Sequence, residues 1–418
     1  MTSQPLWRRI AGFAGLPMIS LITPLLVLPV LGRVAGEGGW ASLAAGEAIG
    51  TLAAIVVAYG WNTAGPPRIA LAHEPAARAE FYRESLVVRG VLMAVAVPVV
   101  LVLCLLVAAP GYGAPTVLMG MSGSVVGLSF AWYAIGSADP RSIALYEAVP
   151  RVAAAAVSAA LVVVTHELAI YPALAIAVSV GGVILFSRRV LSDAPQRAWT
   201  ARTVWALLVR DRAVAFNDIA GGAYMSVPVP VVSATAPAAT ASSYASADKL
   251  YKFGLYVPIT LANAFQSWTV EGHVSERRHR LRVALGAHAG VGLFGWLVLT
   301  ALGPFASGLL FGAEIAATRP ACFFLGLAFF LASTRISMTR HILVPAGRIR
   351  IVVVSTVCAA AVGVPLIIWL AVAIGPVGAA VALAASEVIA NVVLAVPGLR
   401  YVSSLHGPLL PAEMTPGP

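Results

Sequence analysis

Residues 188–212 read RRVLSDAPQRAWTARTVWALLVRDR, the longest link between apolar runs in the chain. Crossing a bilayer takes about 20 apolar residues, and six stretches of that kind precede the link, at about 10–31, 41–60, 86–109, 115–136, 149–165 and 168–187. Six more follow it, at about 213–233, 243–266, 283–311, 320–337, 351–373 and 376–397. Of the 418 residues 60% are hydrophobic and 11% charged, so twelve spans leave only short connections, and an ordinary soluble enzyme is excluded. The expected fold is an all-α polytopic membrane protein with about 12 transmembrane helices in two pseudo-symmetric halves. These are an N-terminal six-helix bundle over 1–190, a linker over 191–212, a C-terminal bundle over 213–400 and a flexible tail over 401–418.

The connections alternate in charge, which sets orientation. Of the 27 Lys and Arg residues, 23 fall on one side, six of them in the 188–212 link. The other side holds Arg33 and Arg319, and Lys249 and Lys252 sit inside the eighth span. Both termini are therefore expected to be cytoplasmic. The net charge of +10 is a topology signal, and Arg277-Arg278-His279-Arg280 suits orientation and anionic-lipid contact better than nucleic acid. Connections on the opposite side are built of turn residues, as in Ala109-Pro110-Gly111-Tyr112-Gly113, so consecutive helices form hairpins. Cys104, Cys322 and Cys358 lie in apolar runs without Cys/His spacing, and neither a disulfide nor a metal site is expected.

The two halves align with each other. A shift of 201 brings Pro29 onto Pro230, Ser42 onto Ser243, Asn62 onto Asn263 and Glu47 onto Asp248. A shift of 197 brings Arg151 onto Arg348. Six spans each way give both halves the same orientation, a parallel repeat of the kind that encloses a central substrate cavity.

Several short segments carry a resemblance. Leu28-Pro29-Val30-Leu31-Gly32-Arg33, Tyr59-Gly60-Trp61-Asn62, Trp132-Tyr133-Ala134-Ile135-Gly136 and Ala247-Asp248-Lys249-Leu250-Tyr251-Lys252, in this order and spacing, resemble the Wzx-type polysaccharide flippases of the multidrug/oligosaccharidyl-lipid/polysaccharide (MOP) exporter superfamily. The chain departs from that pattern with Asp248 where Glu is usual and Ile135 where Gln is frequent. The resemblance implies a MATE-like architecture and an inner-membrane flippase of bacteria, carrying a polyprenyl-pyrophosphate-linked oligosaccharide outward for cell-surface polysaccharide synthesis. It implies a non-enzymatic transporter without cofactor, driven by a proton or sodium gradient or by neither. Implied partners are the lipid-linked sugar, membrane lipids and a polysaccharide polymerase or other envelope-assembly protein, with no nucleic acid.

Charges inside a span cost roughly 2.5–3.5 kcal/mol each on insertion scales, so they are candidates for function. Lys249 and Lys252 are the only lysines. With Tyr256 and Asn263 they fall within a stripe of roughly 60° on an unbroken helix. Either two ammonium groups meet the pyrophosphate of the cargo, or Asp248 pairs with Lys252 and the set pins helices together. Glu47, at the repeat position of Asp248, either faces the same cavity or satisfies a helix contact. Asn217 and Asp218 read as caps opening the seventh span or as entrance groups. Arg335 either snorkels to the inner surface or meets anions at a cytoplasmic entrance, where Arg151 and Arg348 also belong. Glu387 and Asn391 read as interhelical hydrogen-bonding residues. Pro17, Pro24 and Pro29 in the first span, and Pro228 and Pro230 in the seventh, are expected to bend their helices. The G-x-x-x-G pairs Gly123/Gly127, Gly286/Gly290 and Gly308/Gly312 read as close helix contacts. The chain has no nucleophile elbow, P-loop or H-E-x-x-H. The competing readings are a multidrug/cation antiporter of the same superfamily, which wants an acid-rich cavity, and a membrane glycosyltransferase or ligase, which wants acids in a large outer loop.

Overall fold

A computed structural model describes residues 6–72, 74–192, 199–270 and 274–405, with side chains from 25 onward apart from 267, 270, 274 and 275. Every regular element among them is helical. The first two spans come from α1 (Leu6–Ala58) and α2 (Trp61–Leu71), the third from α3 (Pro75–Val107), and the fourth from α4 (Gly113–Val125) and α5 (Ala131–Gly136). The fifth is α6 (Pro140–Ile143) continued by α7 (Val149–Thr165), and the sixth is α8 (Ile170–Leu191). The second half repeats the count. Its seventh span is α9 (Ala201–Ser226) with α10 (Pro228–Thr235), and its eighth α11 (Ala238–Gly254) with α12 (Tyr256–Val270). The last four are α13 (Val274–Phe311), α14 (Arg319–Ser337), α15 (Ile349–Ile374) and α16 (Pro376–Ser404).

Among the described residues, nine helical stretches are long and apolar enough to cross a membrane. The first of them, Leu25–Leu71, holds two spans, because α1 is two helices meeting at Gly36 with φ 57° and ψ −158°, a conformation that glycine adopts without a Cβ penalty. The seventh and eighth spans are absent from the nine: each is divided into two helices, of which α10, α11 and α12 are only 8, 17 and 15 residues long, and their sequence is more polar than that of the other spans. Twelve spans result, and the chain is a multi-pass membrane protein.

Proline acts unevenly. The seventh span breaks at Val227, since Pro228 and Pro230 offer no N–H to the carbonyls of the preceding turn. The first span runs through Pro29 without a break, and its one residue with non-helical dihedrals is Gly36. The seventh span also begins earlier than expected: α9 starts at Ala201, capped by Thr200, whose Oγ1 accepts from Thr203 N at 3.3 Å. Residues 201–212, expected in the linker, are helical, and α16 extends to Ser404. The rest of the expected linker at 193–198 and the tail from 406 lie outside the described residues.

Small residues decide how closely the second and fourth spans approach. A Cβ on Gly50 would meet Gly120 O at 2.2 Å, and one on Gly127 would meet Ala54 O at 2.6 Å. Gly123/Gly127 is therefore a close contact of the expected kind. Gly286 and Gly290 have nothing within 4 Å; their face of α13 is open, against expectation. One large core runs from Leu28 and Trp40 of the first half to Tyr244 and Phe311 of the second. Trp40 stacks on Phe311 with ring centroids 5.1 Å apart. A second, aromatic core of Trp61, Tyr82, Phe130, Trp132 and Phe186 closes the arginine-rich end of the first half.

Candidate functional site

The seam between the halves is built on α11. Its first turns, Ala238-Ala-Thr-Ala-Ser-Ser-Tyr-Ala-Ser-Ala247, are mostly small residues, which lets the second span come close. Ser242 Oγ accepts from Ala41 N at 3.0 Å and donates to Glu37 O at 2.8 Å, and Trp40 Nε1 donates to Ser246 Oγ at 3.0 Å. Ala41 and Ser242 are 201 positions apart, the repeat shift itself, so equivalent positions face one another across the seam. At the same end of the seam, Ser243 Oγ donates to Ala316 O at 2.7 Å, and Arg33 donates to Leu309 O. This end, which carries the turn-rich connections, is closed.

One helical turn further along α11 the seam becomes charged. Lys249 Nζ lies 2.6 Å from Glu47 Oε2, joining the two halves, and Lys252 Nζ lies 2.8 Å from Asp248 Oδ2 on its own helix. Asp248 and Lys249 are buried. Oδ1 of Asp248 and the neighbouring Tyr244 hydroxyl are buried without hydrogen-bond partners. Tyr256 and Tyr171 both lie within electrostatic range of the Glu47 carboxylate. The four charges balance, and the two carboxylates occupy repeat-equivalent positions. The expected stripe is shared between two helices. α11 ends at Gly254 and α12 begins at Tyr256, where Pro258 has no N–H for the Gly254 carbonyl, and Asn263 on α12 accepts from Arg340 Nη1 at 2.6 Å.

The expected entrance residues do not converge. Arg335 does not snorkel: its Nε and Nη2 donate to Glu387 Oε2 and Oε1 at 2.7 and 3.0 Å, and Tyr224 donates to Glu387 Oε1 at 3.3 Å. Glu387 is fully buried, and Asn391 bonds Leu331 O and Thr334 across the helices, the interhelical role expected of it. Asn217 and Asp218 are not caps. They lie well inside α9, where Asp218 Oδ2 accepts from Thr63 Oγ1 at 3.1 Å. Arg151 pairs with Glu147 at 2.9 Å inside the first half. Arg348 is exposed and faces Tyr401, 5.7 Å from the ring centroid. The repeat partners Arg151 and Arg348 thus have different surroundings.

Two features escaped the sequence reading. Arg89, counted among the basic residues of one side although the expected third span begins at about 86, is a fully buried member of α3 that donates to Ser129 O at 2.7 Å and lies over Trp132. Its helical register with Ser85, followed by an unbroken apolar run, was the available signal. Arg68 and Arg210 both hold Asp211, and Tyr59 donates to Leu208 O at 3.0 Å. The arginine-rich end of the second span therefore leans on the seventh span, as its other end leans on the eighth. Beside Glu47, Ala48, Ile49 and Leu52 turn toward Val99 and Leu103 of α3 and Pro230 of α10, around an apolar groove of about 540 Å³.

No family model and no curated protein matches this chain. Among solved structures it is similar to an inward-facing multidrug resistance MATE family transporter of the MOP superfamily, at 14% identity and TM-score 0.68 over 92% of this chain and 95% of that one. It is similar also to the lipid II flippase MurJ in an inward closed conformation, at 11% identity and TM-score 0.66, covering 93% of this chain and 89% of that one. An outward-facing MATE transporter follows at 13% identity and TM-score 0.55, covering 97% and 98%. The chain shares the fold of these transporters.

Proposed function

We propose that the protein is a flippase that moves a polyprenyl-pyrophosphate-linked oligosaccharide across the membrane by alternating opening of the two halves. The observation that carries this reading is the pair of ammonium groups, Lys249 and Lys252, placed where the halves meet, each held by a single carboxylate. A pyrophosphate is barred from hydrocarbon by the cost of an unpaired charge. Buried Lys249 and half-buried Lys252 offer it charge-assisted hydrogen bonds if it displaces Glu47 and Asp248. The apolar groove beside Glu47 suits the polyprenyl chain, with the sugar between the halves. The multidrug reading loses ground because the seam carries as many cations as acids.

The experiment is a substitution that leaves no orphan. Lys249→Ala with Lys252→Ala alone would strand both Glu47 and Asp248, so Glu47→Gln and Asp248→Asn are added. The fourfold variant is expected to accumulate in the membrane and to fail in export, with lipid-linked oligosaccharide building up on the cytoplasmic leaflet while its synthesis continues. A folded fourfold variant with full export overturns the reading. Loss of drug resistance with normal glycan export would favour the antiporter.

A further inference from the structure

Away from the seam, a second cationic site stands at the arginine-rich end of the C-terminal half. The start of α13 and the end of α16 enclose a cavity of about 390 Å³, with Arg278 and Arg282 on one wall, Arg400 on the other and Leu281, Leu285 and Leu399 between them. Arg278 and Arg282 stand four apart on one helix face, where like charges repel. Tyr401 adds two more guanidinium groups to the rim: Arg277 lies 5.9 Å and Arg348 5.7 Å from its ring centroid. Arg277 Nε is buried without a hydrogen-bond partner. Glu276, the acid nearest in sequence, is held by Arg280 at 2.7 Å. Among the described residues no carboxylate pairs with Arg282, Arg348 or Arg400. Arg282 and Arg400 face each other across the cavity and Arg348 stands at its rim, and holding these three without an acid among the described residues is unfavourable unless an anion joins them.

The surface below this rim is apolar and shaped. Directly under Arg282 on the same helix face are Gly286 and Gly290, a strip with nothing within 4 Å of where a Cβ would stand. On α16, Leu399, Val396 and Val392 descend from Arg400 along one face, each more than half exposed. Both strips lie in segments long and apolar enough to cross the membrane. A phosphate at the rim with hydrocarbon running down from it is the shape of one ligand class.

We propose that this cavity is a binding site for an anionic phospholipid of the surrounding bilayer. Its phosphate sits among Arg278, Arg282 and Arg400, and an acyl chain lies along the Gly286/Gly290 strip. The site is independent of the cargo and of the seam.

The test is a lipid titration of the purified full-length protein in detergent, read by native mass spectrometry and by thermal midpoint, with phosphatidylglycerol and phosphatidylcholine as probes. Phosphatidylglycerol is expected to bind more tightly and to raise the midpoint. Arg278→Gln with Arg282→Gln and Arg400→Gln should weaken it by about 100-fold, at about fivefold per guanidinium, and leave phosphatidylcholine unchanged. Gly290→Leu, which fills the strip, should weaken both lipids. Should the triple variant fail to fold, Arg400→Gln alone, at the exposed end of α16, is expected to give the fivefold loss. Equal binding of the two lipids by the unaltered protein overturns the proposal, as does undiminished phosphatidylglycerol affinity in the arginine variants. An equal loss on replacing Arg188, Arg189 and Arg202 by Gln would reduce the effect to net charge and also overturn it. So would displacement of phosphatidylglycerol by a polyprenyl pyrophosphate, since the cavity would then belong to the cargo.

Discussion

Two ion pairs inside the membrane-spanning part are built to opposite specifications. Arg335 and Glu387 join α14 to α16 within one half, through two hydrogen bonds of 2.7 and 3.0 Å, with the Tyr224 hydroxyl as a third donor. Glu47 and Lys249 join one half to the other by a single contact of 2.6 Å. The Glu47 side chain is 31% exposed, and its Oε2 makes no hydrogen bond of good geometry. A buried charge persists when its lone pairs and protons are all satisfied. By that criterion Arg335–Glu387 is a fixture of one half, and Glu47–Lys249 is a contact that can be exchanged. The sequence made the two look alike, as isolated charges in apolar runs.

The largest expected effect tests the fixture. Arg335→Met leaves Glu387 buried without its cation and should cost about 3–5 kcal/mol, read as a lower unfolding midpoint in detergent. Arg335→Met with Glu387→Leu removes the orphan and should recover most of that loss. A single variant as stable as the parent would erase the distinction between the two pairs.

A smaller loss is expected where a buried cation has neutral partners. Arg89 donates to Ser129 O at 2.7 Å and Gly127 O at 3.3 Å. Arg89→Met strands carbonyls, not a carboxylate, and should cost roughly 1–3 kcal/mol in the same denaturation assay.

These residues also mark what the sequence could and could not disclose. Span count, the six-and-six division and the repeat were legible because they rest on apolar length and on scarce residue types recurring at one shift. The lysine pair was legible because nothing else in the chain is lysine. Partners were not. Lys249 meets Glu47 from 202 positions away, and Arg335 meets Glu387 from 52 positions away; a charge satisfied by tertiary contact has no local signature. Charge counting treats an arginine as a mark of the membrane surface, so Arg89 was assigned to one side and Asn217 and Asp218 to a helix start that lies at Ala201. The stripe ending at Asn263 spans α11 and α12, whose junction lies one turn before Pro258.

The closed end of the seam offers a neutral counterpart to the charged pair. Ser242→Ala removes the acceptor of Ala41 N and the donor to Glu37 O, and should cost about 1–2 kcal/mol. It should also loosen this end. A cysteine pair at 41 and 242 is expected to cross-link on oxidation and to stop transport until reduced. Continued transport by the cross-linked protein would mean that the two halves do not part there.

Glu47→Gln should disturb stability least, by about 1 kcal/mol or less, because the amide keeps an acceptor oxygen for Lys249 and the Glu47 side chain is partly open to solvent. Its effect on the cargo should be the more informative. If Glu47 and an anionic head compete for the same ammonium group, weakening the carboxylate leaves Lys249 more available, so the variant should bind a polyprenyl pyrophosphate more tightly than the parent. Lys249→Gln should bind it more weakly, because the cation itself is gone. The two changes weaken the same contact, so a role confined to pinning the halves together would move both variants in one direction. Opposite shifts in affinity, measured on protein of equal fold and abundance, are what an exchangeable pair requires. Parallel shifts would return Glu47–Lys249 to the class of Arg335–Glu387.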